Sequence, residues 1–532
     1  MSRMQEKRFN GIVGNAFDIG LLVLDEGSFN DITILAYISA RMMERRNSTL
    51  PFAGVPVLLL LDFHQKQCVG GTQLHKALIL ADLPDDLLQA LKVNGKGKNK
   101  VTIGHFGADR TGVNLMRRFQ RFDLVRQMRA SDDPIHTAHI RDIRDVFSEQ
   151  PISESILGSL QPLTLEALAL DPSLQFARIV AMSWREVYSL TVLQITRWAR
   201  AHKLPVIRWR KILTGAAAGY INEDETELLF KHESSGLYEY FVAGMPGTFT
   251  QNIDTQNGIV NGGRNTYVSI AMDVGGPSVE ELISAAADDE DNWADGVLTV
   301  TLAVRPLSIN VKMVVPREQA EKMRLKKYLL PDLPDLDSIH LAGGVRTVHL
   351  AVTLMPGGFS SDTYNPTSVW ASRDMPTEFK VQMLPVIPDF VVTDFKVQGT
   401  TEPYLISCLR PRKHLPNFTV QSFNVQFSRV TMGKNFYALG LDKHDMDHLR
   451  CLRHSPALIV WEQSYDATGH WDKALALAAA TKLFDRMQQE ARFKKKSRQT
   501  GYKNSAAKRT RNDSTGAAKK GSCRVLIFAF SD

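Results

Sequence analysis

Two short apolar runs that each end in a carboxylate constrain this chain most. Ile19–Leu24 runs into Asp25-Glu26, and Val55–Leu61 runs into Asp62. Both read as buried parallel strands with an acid at the C-terminal edge. Ile34–Arg46, between them, carries a helical pattern. Strand, helix and strand in this order make a βαβ unit, and any site it builds lies along the carboxyl edge of its strands.

With 532 residues, 44% of them hydrophobic and 23% charged, the chain can bury large cores and is expected to form two to four domains. No stretch of eighteen uncharged apolar residues occurs, and the opening residues have no apolar core of the kind a secretory signal needs. A soluble, intracellular protein with no membrane partner is expected. Cys68, Cys408, Cys451 and Cys523 lie far apart without CxxC spacing, which fits a reducing compartment and argues against a disulfide framework or a four-thiolate zinc site. Charge is uneven: the net is +7, but residues 491–524 hold twelve Lys or Arg against Asp513 alone, so the remainder is slightly acidic. Attraction to polyanions through net charge belongs to that tail, whereas the body needs local basic grooves to hold nucleic acid.

Farther along, Asn114–Val146 looks helical and Arg-rich, and Phe176–Met182 opens a second α/β region backed by a helix over Val187–His202. Residues 262–380 change texture, with Gly262-Gly263, several prolines, alternating runs at Val297–Ala303 and Val348–Leu354 and an acidic loop at Asp288–Asp291, which suggests a β-rich insertion. Val386–Gln398 and Phe418–Phe427 return to strand-like patterns. Trp471–Met487 reads as the last helix, and 491–522 as a disordered Lys/Ser/Gly-rich segment.

Asp25-Glu26 at a strand end is what a magnesium-dependent nucleotidase uses, one carboxylate holding the ion's water shell and the other orienting an attacking water. Taken alone, such a pair is more often a turn or a helix start. Gln65, just past the second strand in Asp62-Phe-His64-Gln65, is placed to bond a terminal phosphate or its water.

Leu22-Val-Leu-Asp25-Glu26 and Gly54-Val-Pro-Val…Asp62-Phe-His64-Gln65…Val69-Gly70-Gly71 together resemble motifs II and III of the Pif-type, RecD-like DNA helicases of superfamily one. The resemblance continues in order. Phe122-Asp-Leu-Val-Arg126-Gln127-Met-Arg129 is similar to motif IV, Ile179–Glu186 to the entry of the second RecA-like lobe, and Gly244-Met-Pro246…Asn252…Gly258…Asn261-Gly262 to the run before the insertion. Thr393-Asp-Phe-Lys396-Val-Gln398-Gly399-Thr400-Thr401 is similar to motif V, and Val425-Gln-Phe-Ser428-Arg429 to motif VI. The match is collinear over roughly residues 19–440.

This resemblance implies an α/β fold of two RecA-like, P-loop-NTPase-type lobes, the first incomplete, with a β-rich insertion in the second. The first lobe would span 1–175, the second 176–265 and 381–450, the insertion 266–380, a helical segment 451–490 and a basic tail 491–532. It implies ATP and Mg2+ as cofactors, with Asp25 as the metal residue, Asp25, Glu26, Gln65, Arg129 and Arg429 catalytic, and Gln65, Arg129 and Arg429 at the nucleotide. Arg129 and Arg429 would be cationic fingers on the γ-phosphate, although in isolation each reads more readily as a surface or ion-paired arginine. Lys396, Gln398, Gly399 and Thr400 would contact the backbone of single-stranded DNA or a DNA junction, glycine permitting close approach; an ordinary strand-to-turn junction is the plainer alternative. Unwinding in the 5′-to-3′ direction is implied by the resemblance alone.

Departures are as informative. No GxxxxGK[ST] occurs, and eighteen residues precede the first strand, fewer than the roughly 30 that a strand, phosphate loop and helix need. Gly95-Lys-Gly-Lys98 lacks the Ser/Thr magnesium ligand and reads as a solvated turn. The family's Gly before Asp62 is Leu61, its Leu-Pro-Pro after Gln65 is Lys66-Gln67-Cys68, and the His of motif V is Phe395. The expectation is therefore a truncated helicase homologue impaired in ATP turnover, with a non-enzymatic nucleic-acid binder or a scaffold as rivals. The tail suggests nuclear import, with a mitochondrial location as the alternative. His444, His448, Cys451 and His454 read as helix-surface or core residues rather than a zinc site, and Asn261-Gly-Gly-Arg264 as a turn rather than an anion nest. Val525–Phe530 is too short to cross a membrane and reads as a strand or a sequence scar.

Overall fold

The computed structural model describes residues 19–66, 71–93, 103, 107–232, 234–273, 275–316, 345–353, 363–364, 379–411 and 418–509. Cys68, Val69, Gly70, the Gly95–Lys98 turn, Cys523 and the Val525–Phe530 run lie outside the described residues.

The expected βαβ unit is present. Leu22–Leu24 pairs in parallel with Val57–Leu59, Val23 lying beside Leu58. The helix between them, Ile32–Arg46, begins where Asp31 accepts from Thr33 N at 2.8 Å and ends at Asn47, which adopts the left-handed conformation at φ 48°. Ile32, Leu35 and Met42 on its inner face pack with Leu74 and Leu78 of the helix Leu74–Asp82 and with Val113 of the helix Ala108–Met116. Gly112 permits that approach, because a Cβ there would stand 2.1 Å from Ile32 O. The C-terminal helices join this core through Leu458, Val460 and Trp461 of Pro456–Glu462 and Ala476, Ala480 and Leu483 of Lys473–Arg509. That last helix starts as the sequence suggests but continues to Arg509, through residues expected to be disordered; 510–532 lie outside the described residues.

The second lobe is a five-stranded, all-parallel sheet in the order Val391–Thr393, Arg178–Ala181, Leu405–Ser407, Phe436–Ala438, Gln161–Pro162. The helices Pro134–Arg144, Glu154–Ser159 and Val420–Phe427 contribute to a core that includes Val180, Leu405 and Phe436, and the helix Trp184–His202 contributes to another that includes Ile179. Phe423 stacks on Phe427 at 5.2 Å, and Phe427 meets Phe436 edge-on at 5.1 Å. Truncating any of these buried rings to alanine costs about 3–5 kcal/mol.

Four expectations need correcting. The second lobe begins before 176, since Gln161–Pro162 is an edge strand of its sheet and Pro134–Arg144 and Glu154–Ser159 pack in its core. Phe418–Phe427 is a helix over Val420–Phe427, capped by Thr419, and not a strand. Asn114–Val146 is two helices, Ala108–Met116 and Pro134–Arg144, separated by non-helical chain that includes Arg129; Pro134 fits the first helical turn, and Asp133 caps it by accepting from His136 N. The β-rich insertion is wider than 266–380. Val206–Arg210 and Tyr238–Phe241 belong to a four-stranded sheet with Val297–Leu302 and Trp293–Ala294, while Pro246–Phe249 and Val386–Pro388 close a five-stranded antiparallel sheet with Arg264–Ala271, Ser308–Pro316 and Val345–Thr353. Val206–Arg210 does run parallel to Val297–Leu302, but outside the sheet of the second lobe.

Candidate functional site

The carboxyl edge of the small parallel sheet faces the second lobe, and the candidate residues gather there. Asp25 is exposed and accepts from Glu26 N at 2.8 Å. Glu26 sits at φ 50°, a left-handed conformation uncommon for this residue type, which turns the chain sharply at the strand end. From the second lobe Gln398 Nε2 donates to Glu26 Oε2 at 3.2 Å, while Gln398 Oε1 accepts from Lys66 N at 3.1 Å. One amide side chain thus bridges both strand ends of the first lobe. Gly399 follows at φ 79°, and a Cβ there would face Glu26 Oε1 at 3.8 Å, so its left-handed backbone rather than crowding favours glycine.

Asp62 accepts from His64 N at 3.1 Å and from three side-chain donors. Arg144 grips it with both terminal nitrogens at 2.9 and 3.0 Å, and Gln65 Nε2 donates at 2.5 Å. Burial opposes its ionisation, but the Arg144 charge, these hydrogen bonds and nearby His64 together keep the carboxyl below its ordinary value. Gln65 is therefore turned back to Asp62, and its Oε1 has no partner among the described residues.

Arg129 and Arg429 do converge. Arg129, half-buried, donates from Nε to Thr401 Oγ1 at 2.9 Å and from Nη1 to Ser428 O at 3.1 Å. Arg429 is 3% exposed; its Nη2 donates to Ser428 Oγ at 2.8 Å, and its Nε has no partner among the described residues. Burial first, and then the neighbouring Arg129, push its pKa down to about 10, against the pull of Asp62 and Glu26. Among the described residues no carboxylate forms an ion pair with Arg429, so this buried guanidinium beside a second arginine is short of negative charge.

Lys396 and Thr400 face elsewhere. With Gln398 they line a cavity of about 950 Å³, whose walls include Trp184, Asn261, Gly263 and Phe395. Lys396 Nζ bonds Asn261 Oδ1, and Trp184 and Phe395 are 42% and 41% exposed. Thr400 Oγ1 lies 2.8 Å from both Val397 O and Glu402 Oε1, so its hydroxyl serves the turn itself. The Asn261–Arg264 segment is a turn, with Gly263 N donating to Val260 O. Arg264 reaches the buried Glu402, which also binds Arg178 at 2.9 Å and whose backbone N donates to Arg429 O at 2.9 Å.

Sequence reasoning missed Lys66. It counted as a departure from Leu-Pro-Pro, yet its ammonium lies 2.6 Å from Asp394 Oδ2, 2.7 Å from Ser422 Oγ and 5.3 Å from the centre of the Phe395 ring. Asn424 Nδ2 adds a bond to His64 O at 2.9 Å, again across the lobes. Arg144 and Trp184 were also missed; nothing in the local sequence pairs Arg144 with Asp62 or marks Trp184 as a cavity wall.

No family model matches this chain, and no curated protein matches it. Among solved structures it is similar to the Pif1 helicase from Candida albicans, at 14% identity over 87% of this chain and 81% of that one, with a TM-score of 0.45. It is also similar to Bacteroides Pif1 bound to ssDNA, at 15% identity over 89% and 80% with a TM-score of 0.47, and to Bacteroides Pif1 in complex with ADP-AlF3 and ssDNA, at 14% identity over 89% and 80% with a TM-score of 0.45.

Proposed function

We propose that this chain is a Pif-type DNA helicase homologue that grips single-stranded DNA in the cavity beside Lys396 and turns over ATP poorly or not at all. The observation that carries the reading is the convergence of Arg429, buried and without an ion-paired carboxylate among the described residues, with Arg129, Glu26 and Gln398, residues drawn from four separate motifs onto one junction between lobes.

The residues fit ATP and Mg2+ in part. Asp25 is exposed at the strand end where an ion would sit, and Arg429 and Arg129 supply the positive charge that a terminal phosphate needs. Bound ATP would supply hydrolysis energy and a charge that draws the lobes together. What this chain's own residues do is narrower: Gln398 holds Glu26, Gln65 holds Asp62, and Lys66 pins the two lobes through Asp394. The chain contains no GxxxxGK[ST], so the backbone N–H cradle and its lysine, which carry much of the phosphate binding in such sites, are not supplied by these residues. The same lack supports the rival reading of a non-enzymatic DNA-binding or regulatory protein.

The larger cavity offers a strand two half-exposed aromatic faces, Trp184 and Phe395, with Lys396 and the Gly262-Gly263 backbone at its wall. Stacking and backbone contact of this kind give sequence-tolerant binding. Junction binding, 5′-to-3′ polarity and nuclear location remain part of the proposal on the resemblance and the tail. The test is anisotropy of a labelled oligothymidylate: Lys396→Ala and Trp184→Ala should each weaken binding severalfold, and unchanged affinity in both would reject the cavity as the strand site.

A further inference from the structure

The small parallel sheet of the first lobe is open along one edge. Leu22 N donates to Pro56 O and Leu60 N to Leu24 O, so the N–H groups of Val57 and Leu59, which alternate with these along the second strand, point away from the first. Among the described residues no strand pairs with that edge. One face is open as well. Leu21, Val23 and Leu58 are half-exposed, with Val23 beside Leu58, whereas Leu22, Leu24, Val57 and Leu59 pack towards the core. Parallel sheets are ordinarily covered on both faces, and an unpaired edge is a template for another strand.

A second segment shares both ends of this edge. Phe119 meets Phe52, just before the strand Val57–Leu59, at 6.3 Å between ring centres, and Arg129 reaches Ser428 O at the junction that the carboxyl end of the strand faces. The chain between Phe119 and Arg129 thus runs in the same direction as the strand, yet it enters no sheet among the described residues. Its Phe122, Leu124, Val125 and Met128 are between 65% and 92% exposed. An open edge and an exposed apolar segment with common ends are the setting of strand addition.

The sequence contains a segment that fits. Val525-Leu-Ile-Phe-Ala-Phe530 is a run of uncharged apolar residues after a Lys/Ser/Gly-rich stretch, the composition of a strand buried on both faces and a hazard for aggregation when left in water. It also reaches. The helix Lys473–Arg509 packs into this same core through Ala476, Ala480 and Leu483. From Leu483 to Arg509 the helix carries the chain about 39 Å, and residues 510–524 span up to roughly 50 Å when extended, enough to return.

We propose that Val525–Phe530 of the same chain adds as a third strand to the free edge of Val57–Leu59 and covers the apolar segment Phe122–Met128. The docked strand fixes the chain that leads to Arg129, and so ties the tail to the junction without entering it. This inference stands apart from the reading of the cavity beside Lys396 as a DNA site.

Amide hydrogen exchange, read by mass spectrometry, tests it on the full chain, on a chain ending at Arg524 and on Phe528→Lys. In the full chain the amides of Val57, Leu59 and residues 122–128 should be protected. Both altered chains should exchange there about tenfold faster or more, while the second-lobe strand Arg178–Ala181 keeps its protection. A synthetic peptide of residues 523–532 added to the shortened chain should restore the slow exchange. Residues 122–128 that exchange in the full chain as fast as an unstructured peptide overturn the proposal, whether or not the altered chains fold. Protection that survives in both altered chains assigns the edge to another segment and equally overturns it. Protection that falls on dilution, with a dimer seen by light scattering, means that a second copy supplies the strand and rejects docking within one chain.

Discussion

The ammonium of Lys66 lies 2.6 Å from Asp394 Oδ2, so the loop after the first lobe's second strand is fixed to the start of the short helix Asp394–Val397 in the second lobe. The two side chains are only 13% and 3% exposed. In so dry a setting a lone charge is far worse than a pair.

Lys66→Met is therefore expected to destabilise the protein by about 3–5 kcal/mol, since it leaves Asp394 buried and uncompensated. Adding Asp394→Asn should recover most of that loss. Urea unfolding of the single and double variants checks this, and a double variant no better than Lys66→Met would show that the pair does not act as a unit.

Arg429→Met should have the opposite sign. The guanidinium is buried with Nε unpaired, so a methionine of similar length removes a desolvation cost and should leave stability unchanged or raise it by about 1 kcal/mol. A loss above about 2 kcal/mol in the same unfolding assay would mean that Arg429 is a structural arginine and not one kept for an anion.

How much of this was legible in sequence depended on whether a pattern matched its element. The βαβ unit was plain because Leu22–Leu24 and Val57–Leu59 are short apolar runs that meet acids at their ends. Val420–Phe427 misled because Phe423, Val425 and Phe427 alternate with Asn424 and Gln426, the period of a strand. The helix is buried almost all round, with those amides bonded to His64 O and Ser407 Oγ, so no polar face betrays its turn. Lys66 was invisible for a different reason: its partners Asp394 and Ser422 are more than three hundred residues away, and only the closed junction brings them together.

Glu239 gives a pH dependence. It is buried in the insertion, accepting from Trp209 Nε1 at 2.9 Å and Leu384 N at 2.8 Å, and burial pushes its pKa up to about 7 against the pull of Lys211. The folded state thus holds a proton that the unfolded chain releases near pH 4.5, so this group's stabilising contribution is full below that point and is lost as pH rises towards 7. Glu239→Gln should flatten that part of the stability profile, although it costs a hydrogen bond. An unchanged slope in denaturant melts between pH 4.5 and 7.5 would refute the assignment.

The basic tail should dominate salt sensitivity. Residues 491–524 hold twelve Lys or Arg, and each phosphate they neutralise on single-stranded DNA steepens the logarithmic salt slope by about 0.7. Deletion after Glu490 should weaken binding and make the slope shallower, the remainder depending on Lys396. Equal affinities and slopes for full-length and shortened chains would leave import as the better role for the tail.

ATP turnover measured in the same samples that bind DNA tests the junction most directly. With saturating oligothymidylate and Mg2+, the chain is expected to hydrolyse ATP at a rate near background and no faster than Glu26→Gln, while still binding the strand. Robust DNA-stimulated hydrolysis that Glu26→Gln abolishes would contradict the account, because the residues at this junction would then be running the full reaction without the phosphate loop.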